Sequence, residues 1–105
     1  MLGEFELLVL LAVLRAGDDA YGSRILKELH ERSGRPVARG AVYVTLDRLE
    51  AKGFLASRTD SGTPARGGRP RRYYSVRASG LAALRQSLEA LGRMRMGLKL
   101  GLKVP

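Results

Sequence analysis

Cysteine and tryptophan are absent from this chain, and histidine occurs once, at position 30. Without cysteine there is no disulfide, no thiolate nucleophile and no cysteine-based zinc site, a composition that fits a cytoplasmic protein. No serine has a histidine partner at a motif spacing, and no phosphate-binding loop, carboxylate pair or metal cluster can be found. We therefore expect a protein that is not an enzyme, holds no metal and needs no cofactor.

Long hydrophobic runs are also missing. The unbroken apolar run from Leu7 to Leu14 has eight residues, whereas a membrane span needs about 20. Glu4 and Glu6 precede the run, where a secretion signal would carry a basic leader. The run therefore predicts a buried helix, and we expect no membrane partner.

Acidic residues are scarce, with 10 against 19 lysines and arginines, so the net charge is +9. Six arginines fall between Arg58 and Arg77, with Asp60 as the sole acid in that stretch. Clustered positive charge is typical of nucleic-acid-binding proteins. A basic protein whose charges only solvate its surface is the alternative, but the clustering argues against it. The 105 residues predict a single small domain that would gain stability by pairing.

Two helices are predicted near the N-terminus, over residues 3–16 and 20–33. The first is apolar nearly all round, which suggests that a partner subunit covers part of it. The second is expected to point Glu28 outward and to end at Gly34. Val37 is expected to form a short bridge beside a later hairpin.

A third helix is predicted over residues 39–52. Its buried stripe follows the i, i+4, i+7 spacing and consists of Val42, Leu46 and Leu49. This spacing leaves one face of its N-terminal half exposed, namely Arg39, Gly40, Tyr43, Val44 and Asp47. Helix-turn-helix proteins present that half of their recognition helix to base edges.

An arginine-rich hairpin should follow, with strands over residues 54–59 and 71–77 and a turn-rich tip over 60–68. Period-two alternation places Tyr74 and Val76 on one face of the second strand. Such a hairpin beside a recognition-type helix could straddle a phosphate backbone, as the wing of a winged helix does. The predicted fold is therefore mainly α (α+β), a winged helix-turn-helix.

The last predicted helix spans residues 78–100 and is followed by a frayed tail over 101–105. Its leucines at positions 81, 84, 88, 91 and 98 form a seam that is too short for a free-standing coiled coil. The seam is long enough to pack across a two-fold axis, so we expect a homodimer. The predicted interface residues are Phe5, Leu8, Leu81, Leu84, Leu88 and Leu91.

Five stretches in this order resemble the PadR-like family of bacterial transcriptional regulators. They are Leu2-Gly3-Glu4-Phe5-Glu6, Asp19-Ala20-Tyr21-Gly22, Gly40-Ala41-Val42-Tyr43, Leu46-Asp47-Arg48-Leu49-Glu50-Ala51-Lys52-Gly53 and Gly67-Gly68-Arg69-Pro70-Arg71-Arg72-Tyr73-Tyr74. The resemblance covers nearly the whole chain, with Val44 where the family often has proline. Arg77 stands where the family often has a threonine cap, so Ser79 is an alternative cap of the last helix.

The resemblance implies a winged helix-turn-helix DNA-binding domain over residues 1–77 and a C-terminal dimerisation helix over 78–100. It also implies a sequence-specific regulator of transcription, in most members a repressor. As a homodimer it would bind an inverted-repeat operator in double-stranded DNA. No larger sensor domain is expected.

Contacts to DNA are predicted from the third helix and from the hairpin. Arg39 can reach a guanine edge or a phosphate, and Val44 can touch a thymine methyl group. The hairpin arginines should fix the register through phosphates. The full set of predicted contacts is Arg39, Gly40, Tyr43, Val44, Lys52, Arg66, Arg69, Arg71 and Arg72.

Two other functions stay open at the level of the sequence. In one, a cavity in the dimer binds a small hydrophobic effector, and the residues available for it are Phe5, Leu8, Met94 and Met96. Such cavities commonly use tryptophan, which this chain lacks. In the other, the winged helix binds a protein. Salt dependence separates these from DNA binding, which weakens as salt is added.

Overall fold

The computed structural model describes residues 2–62 and 66–101. In these ranges the chain forms four α-helices and a two-stranded antiparallel sheet, as a winged helix-turn-helix does, so the predicted fold class is confirmed. The elements are α1 (Glu4–Ala16), α2 (Gly22–Ser33), α3 (Arg39–Ala51), β1 (Leu55–Thr59), β2 (Arg72–Val76) and α4 (Ala78–Arg95).

The core lies around α1, which packs against α2, α3, α4 and β2. Val9 and Leu10 of α1 are fully buried, together with Ile25, Leu46 and Leu49. The apolar run therefore forms a largely buried helix, as predicted, although Leu7, Leu8, Leu11 and Leu14 keep part of their surface exposed. None of the helices in the described ranges has both the length and the hydropathy needed to cross a lipid bilayer.

Glu28 does not point into solvent as expected. Its side chain is 12% exposed and lies among three guanidinium groups, those of Arg15, Arg24 and Arg32, at 3.4–3.5 Å. A carboxylate at the junction of two packed helices is costly unless cations surround it. The charges supplied by both helices allow Glu28 to be buried there.

The segment before α2 pairs with the hairpin, and Val37 does not. An isolated antiparallel bridge joins Tyr21 to Tyr73, and the backbone N–H of Tyr74 donates to the carbonyl of Ala20 at 2.8 Å. The carbonyl of Val37 instead accepts a hydrogen bond from Nε2 of His30, also at 2.8 Å. The predicted bridge is thus replaced by a contact inside the helix-turn-helix.

The hairpin has the predicted alternation, with Tyr74 buried, Val76 partly buried and Ser75 exposed. Its strands are slightly shorter than predicted, and Leu55 pairs with Val76 at the base. Residues 63–65 of the predicted tip lie outside the described ranges, as do residues 102–105 of the predicted tail.

Asp60 organises the described part of the tip. Its carboxylate accepts hydrogen bonds from the backbone N–H groups of Arg71 (3.2 Å) and Gly62 (3.0 Å), and it pairs with Arg66 at 2.7 Å. The two N–H donors and the Arg66 charge hold the pKa of Asp60 below its usual value. The base of the wing tip is therefore closed by an ionised carboxylate.

The start of α4 is attached to the turn between α3 and β1. The hydroxyl of Ser79 donates to the carbonyl of Gly53 at 2.6 Å, so it does not cap the helix; the N-cap is Arg77, without a side-chain cap. Gly80 is buried against Phe54, and a Cβ at that position would lie 2.3 Å from the Phe54 carbonyl oxygen. A glycine is needed there for the two backbones to approach.

The helix α4 is shorter than predicted and its leucine seam is divided. It ends at Arg95 because Gly97 adopts a left-handed conformation with φ of 81°. Leu84 is 3% exposed and packs in the core of its own chain. Its assignment to the dimer interface was therefore wrong, because α4 turns this position towards α1. Leu88 and Leu91, by contrast, are 43% and 51% exposed.

Candidate nucleic-acid interface

A groove of about 770 Å³ runs between the start of α2, the outer face of α3 and the wing. We call it the basic groove. It brings together Tyr43 and the four predicted wing arginines. The residues that line it are Tyr21, Gly22, Ser23, Tyr43, Asp47, Arg66, Arg69, Pro70, Arg71, Arg72 and Tyr74.

The outer face of α3 is open, as the periodicity predicted. Arg39 is the first residue of the helix, and Val44 is 57% exposed. Within residues 2–62 and 66–101, no carboxylate lies within ion-pair distance of Arg39. A Cβ on Gly40 would meet no atom within 4 Å. Packing within the protein therefore does not require a glycine at this position. A glycine there would let the backbone of α3 approach a bound molecule closely.

Tyr43 lies over the beginning of α2. A Cβ at Gly22 would stand 2.1 Å from the Tyr43 hydroxyl oxygen, so the small residue makes room for the ring. The side chain of Tyr43 stays 39% exposed. Its hydroxyl is thereby held at the edge of the basic groove, where it could donate to an anion.

Lys52 is not brought to this surface. It follows the opposite end of α3, about 20 Å from Arg39 along the helix axis at 1.5 Å per residue. Its Nζ pairs with Oε2 of Glu6 at 2.7 Å. That hydrogen bond, helped by the N–H of Gly3, lowers the pKa of the Glu6 carboxyl. The Lys52 charge stabilises the packing of α3 on α1.

The wing arginines differ in their partners. Arg66 pairs with Asp60, and its side chain is only 18% exposed. Arg72 pairs with Glu50 and lies 4.0 Å from Asp47. Nε of Arg69 donates only to the carbonyl of Arg66, at 3.2 Å, and no acid of the described chain pairs with it. Arg69 therefore presents its charge outward.

Two arginines stack on a pair of tyrosines. The rings of Tyr21 and Tyr73 meet edge to face with centroids 5.6 Å apart. The guanidinium of Arg71 lies 3.9 Å from the centroid of Tyr21, and that of Arg58 lies 4.6 Å from the centroid of Tyr73. A hydrogen bond to Tyr73 raises the pKa of Arg71. The contact with Tyr21 holds the guanidinium of Arg71 in the groove, and a cation–π contact leaves its positive charge intact.

Six residues of the groove were not predicted as site residues, namely Tyr21, Gly22, Ser23, Asp47, Pro70 and Tyr74. Tyr21, Gly22 and Ser23 come from the start of α2, whose backbone N–H groups and helix dipole favour an anion. The stretch from Asp19 to Gly22 carries part of the family resemblance, yet nothing in its periodicity places it beside the wing. Burial raises the pKa of Tyr74, which forms the inner wall.

The arrangement suits a polyanion. Four arginines of the hairpin line the groove, beside Tyr43 of α3 and the start of α2, and within the described ranges no group of histidine, aspartate or glutamate residues could hold a metal ion. Phosphate oxygens on an extended backbone would match cations spaced along such a groove.

Comparison with known proteins gives consistent results. The model of the "Transcriptional regulator PadR-like family" matches residues 10–86. The transcriptional regulator Rv3488 of Mycobacterium tuberculosis is 39% identical over 85 residues, which are 78% of this chain and 75% of that protein.

Solved structures share the fold. A PadR-like transcription factor from Bacteroides fragilis superposes with a TM-score of 0.74 at 26% identity, covering 87% of this chain and 82% of that one. Bacillus subtilis PadR in complex with operator DNA gives a TM-score of 0.66 at 20% identity. That match covers 97% of this chain and 52% of the longer protein.

Proposed function

Because the chain belongs to the PadR-like family of transcriptional regulators, we propose that it is a sequence-specific DNA-binding repressor that occupies an inverted-repeat operator as a homodimer. The observation that carries the proposal is the basic groove, in which the open face of α3 lies beside an arginine-rich wing. The operator complex of Bacillus subtilis PadR supports it, since that protein shares the fold.

In this proposal the N-terminal half of α3 enters the major groove. Gly40 lets the helix backbone approach the base edges, and Arg39 can form two hydrogen bonds to a guanine. Val44 packs on a thymine methyl group. Tyr43 and the start of α2 contact the flanking phosphates, which orients the reading helix.

The wing contacts the sugar–phosphate backbone on the neighbouring side. Arg69 and Arg71 carry this role, because neither pairs with a carboxylate in the described ranges. Contacts of this kind add affinity and fix the register without reading the sequence.

The exposed part of α4 is the proposed dimer contact. Leu88, Leu91 and Met94 are 43%, 51% and 76% exposed on the second half of the helix, which is an unusual loss of apolar burial for a protein of this size. Leu81, Phe5 and Leu8 are partly buried and would complete the contact. A two-fold axis through α4 would present two α3 helices to inverted half-sites.

Selection of duplexes from a random pool by the purified protein tests this function. We expect enrichment of an inverted repeat whose binding weakens steeply between about 50 and 200 mM salt. A pool that is not enriched, with any residual binding insensitive to salt, would overturn the proposal. Insensitivity to salt would instead favour a small hydrophobic effector or a protein as the ligand.

A further inference from the structure

Three side chains from three elements form a closed hydrogen-bonded ring beside the basic groove, and one of them, Arg72, lines the groove. Arg72 of β2 donates through Nη2 to Oε1 of Glu50 in α3, and its Nε donates to Oγ of Ser57 in β1 at 3.0 Å. The Ser57 hydroxyl in turn donates to Oε2 of Glu50 at 2.6 Å. We call Glu50, Ser57 and Arg72 the clasp.

The clasp joins the wing to the reading helix. Glu50 lies in the last turn of α3, and the other two members lie on the two strands of the hairpin. A guanidinium that donates to a carboxylate and a hydroxyl at the same time is fixed in both position and orientation. The angle between wing and helix is therefore fixed by side chains in addition to the apolar core.

The clasp also removes one positive charge from the groove. Besides Glu50, Asp47 faces Arg72, with its Oδ1 4.0 Å from Nη1. Two carboxylates thus surround a single guanidinium that is 47% exposed. A phosphate that approached Arg72 would meet the negative charges of Glu50 and Asp47 beside the guanidinium.

Arg69 provides the contrast within the same groove. Its guanidinium has a backbone carbonyl as its partner and no acid within the described part of the chain. Arg69 can therefore neutralise a phosphate without losing an ion pair, whereas Arg72 is already paired with Glu50. Non-specific DNA affinity depends on the number of phosphates neutralised.

We propose that Glu50 and Ser57 are positioning residues that withhold Arg72 from phosphate, so that Glu50 limits non-specific binding and sets the specificity of the regulator. This inference rests on the proposed DNA-binding function. Arg72, although it lines the groove, orients the wing and adds no counterion release.

The variant Glu50→Gln keeps the shape of the clasp and an acceptor oxygen while removing the charge. We expect the log–log salt slope for random duplex to steepen by about 0.9 per subunit, because Arg72 becomes available to phosphate. Between about 50 and 200 mM salt, affinity should then change about 3.5-fold more per subunit than in the wild type. The ratio of operator to random-duplex affinity should fall.

Two further variants separate charge from position. Glu31→Gln is the matched control, since it removes an equal charge that is paired with Lys27 at 4.0 Å on the exposed face of α2; its slope should equal that of the wild type. Glu50→Gln combined with Arg72→Ala removes both charges of the clasp. Its slope should return to the wild-type value, because Arg72 neutralises no phosphate in the wild-type complex.

The outcomes are distinct. If wild-type protein binds no duplex, the proposed function fails and the clasp proposal with it. If wild-type protein binds but the double variant has a flatter slope than the wild type, Arg72 contacts phosphate and the clasp proposal alone fails. An unchanged slope for Glu50→Gln overturns it as well. If Glu50→Gln unfolds below the assay temperature, the double variant Glu50→Arg with Arg72→Glu, which exchanges the two charges, is tested in its place. The clasp proposal then requires that its salt slope equal that of the wild type.

Discussion

Glu6 shows how a single residue can link two distant segments of the chain. It is nearly buried at the start of α1, where it accepts from the N–H of Gly3 and pairs with Lys52 at the end of α3. The carboxylate replaces the side-chain cap that α1 lacks, and it neutralises the lysine that the sequence had assigned to DNA. Its ionisation is therefore coupled to stability.

The Glu6–Lys52 pair predicts a pH dependence of unfolding. The pKa of Glu6 is lower in the folded chain than its ordinary value of 4.5. The ionised carboxylate therefore stabilises the folded state at pH values above 4.5, and this stabilisation is lost as the pH falls from 4.5 through the lower pKa of the folded chain. Lys52→Met should reduce this loss. The free energy of unfolding, measured by chemical unfolding at a series of pH values between about 3 and 6, gives this loss for each protein. If the free energies of the variant and the wild type fall in parallel with pH, the Glu6–Lys52 pair is not the cause.

Arg39 and Arg69 should separate base reading from phosphate binding. Arg39→Ala should cost about 1–3 kcal/mol on the preferred site and relax the preference at one base in each half-site. Arg69→Ala should weaken all sequences alike and flatten the salt slope by about 0.9 per subunit. Repeating the duplex selection with each variant distinguishes them, and a changed base preference for Arg69→Ala would reverse the two roles.

At the level of elements, α4 has two environments. Its start is held against the α3–β1 turn, and up to its middle it buries Leu84 and Ser87, whose hydroxyl accepts from the N–H of Leu2 at 3.4 Å. Its second half leaves Leu88, Leu91 and Met94 exposed. One helix thus completes the core of its own chain and leaves an apolar face exposed, which is the proposed dimer contact.

This division predicts different results for neighbouring leucines. Leu84→Ala should destabilise the fold by about 2–5 kcal/mol, because it opens a cavity in the core. Leu88→Glu with Leu91→Glu should instead give a folded monomer. Sedimentation together with thermal unfolding tests both, and a double variant that stays dimeric would exclude this face as the interface.

Two glycines of α4 make a matched pair for the anchoring of the helix. Gly80→Ala would place a Cβ 2.3 Å from the Phe54 carbonyl oxygen, so the start of α4 must move, at a cost of about 1–3 kcal/mol. Gly92→Ala meets nothing within 4 Å and should stabilise the helix by about 0.5–1 kcal/mol. Equal melting temperatures would show that α4 is not held at Gly80.

For the whole molecule, the net charge of +9 overstates the charge available to DNA. Lys52, Arg66 and Arg72 are each paired with a carboxylate. The three cations of the site without such a partner in the described ranges are Arg39, Arg69 and Arg71. Excess charge drives long-range attraction, but only cations that reach phosphates release counterions.

The salt dependence of operator binding should reflect this smaller number. Three contacts per subunit predict a log–log slope of about −5 for a dimer, where pairing every predicted cation with phosphate would predict about −10. The half-sites should be inverted and about one helical turn apart. A measured slope near −10 would mean that the ion pairs open when DNA binds.

The sequence alone determined the elements and the open face of α3, because these depend on neighbours three or four residues away. Val42, Leu46 and Leu49 lie in the core as their spacing predicted, and Gly17 and Gly34 end their helices with a positive φ. The motifs around Tyr21, Tyr43 and Arg69 were also sufficient to identify the family. Local periodicity and backbone sterics are enough for such features.

The tertiary structure alone decided which charges and leucines are available. Lys52 meets Glu6, Arg72 meets Glu50, and Glu28 is buried among arginines from α1 and α2. The first two pairs join residues 46 and 22 positions apart, so no local pattern signals them. Leu84 and Leu88 share a predicted seam, yet Leu84 packs in the core of its own chain and Leu88, one turn further along α4, is exposed. Side-chain partners depend on how elements cross, which a one-dimensional period does not contain.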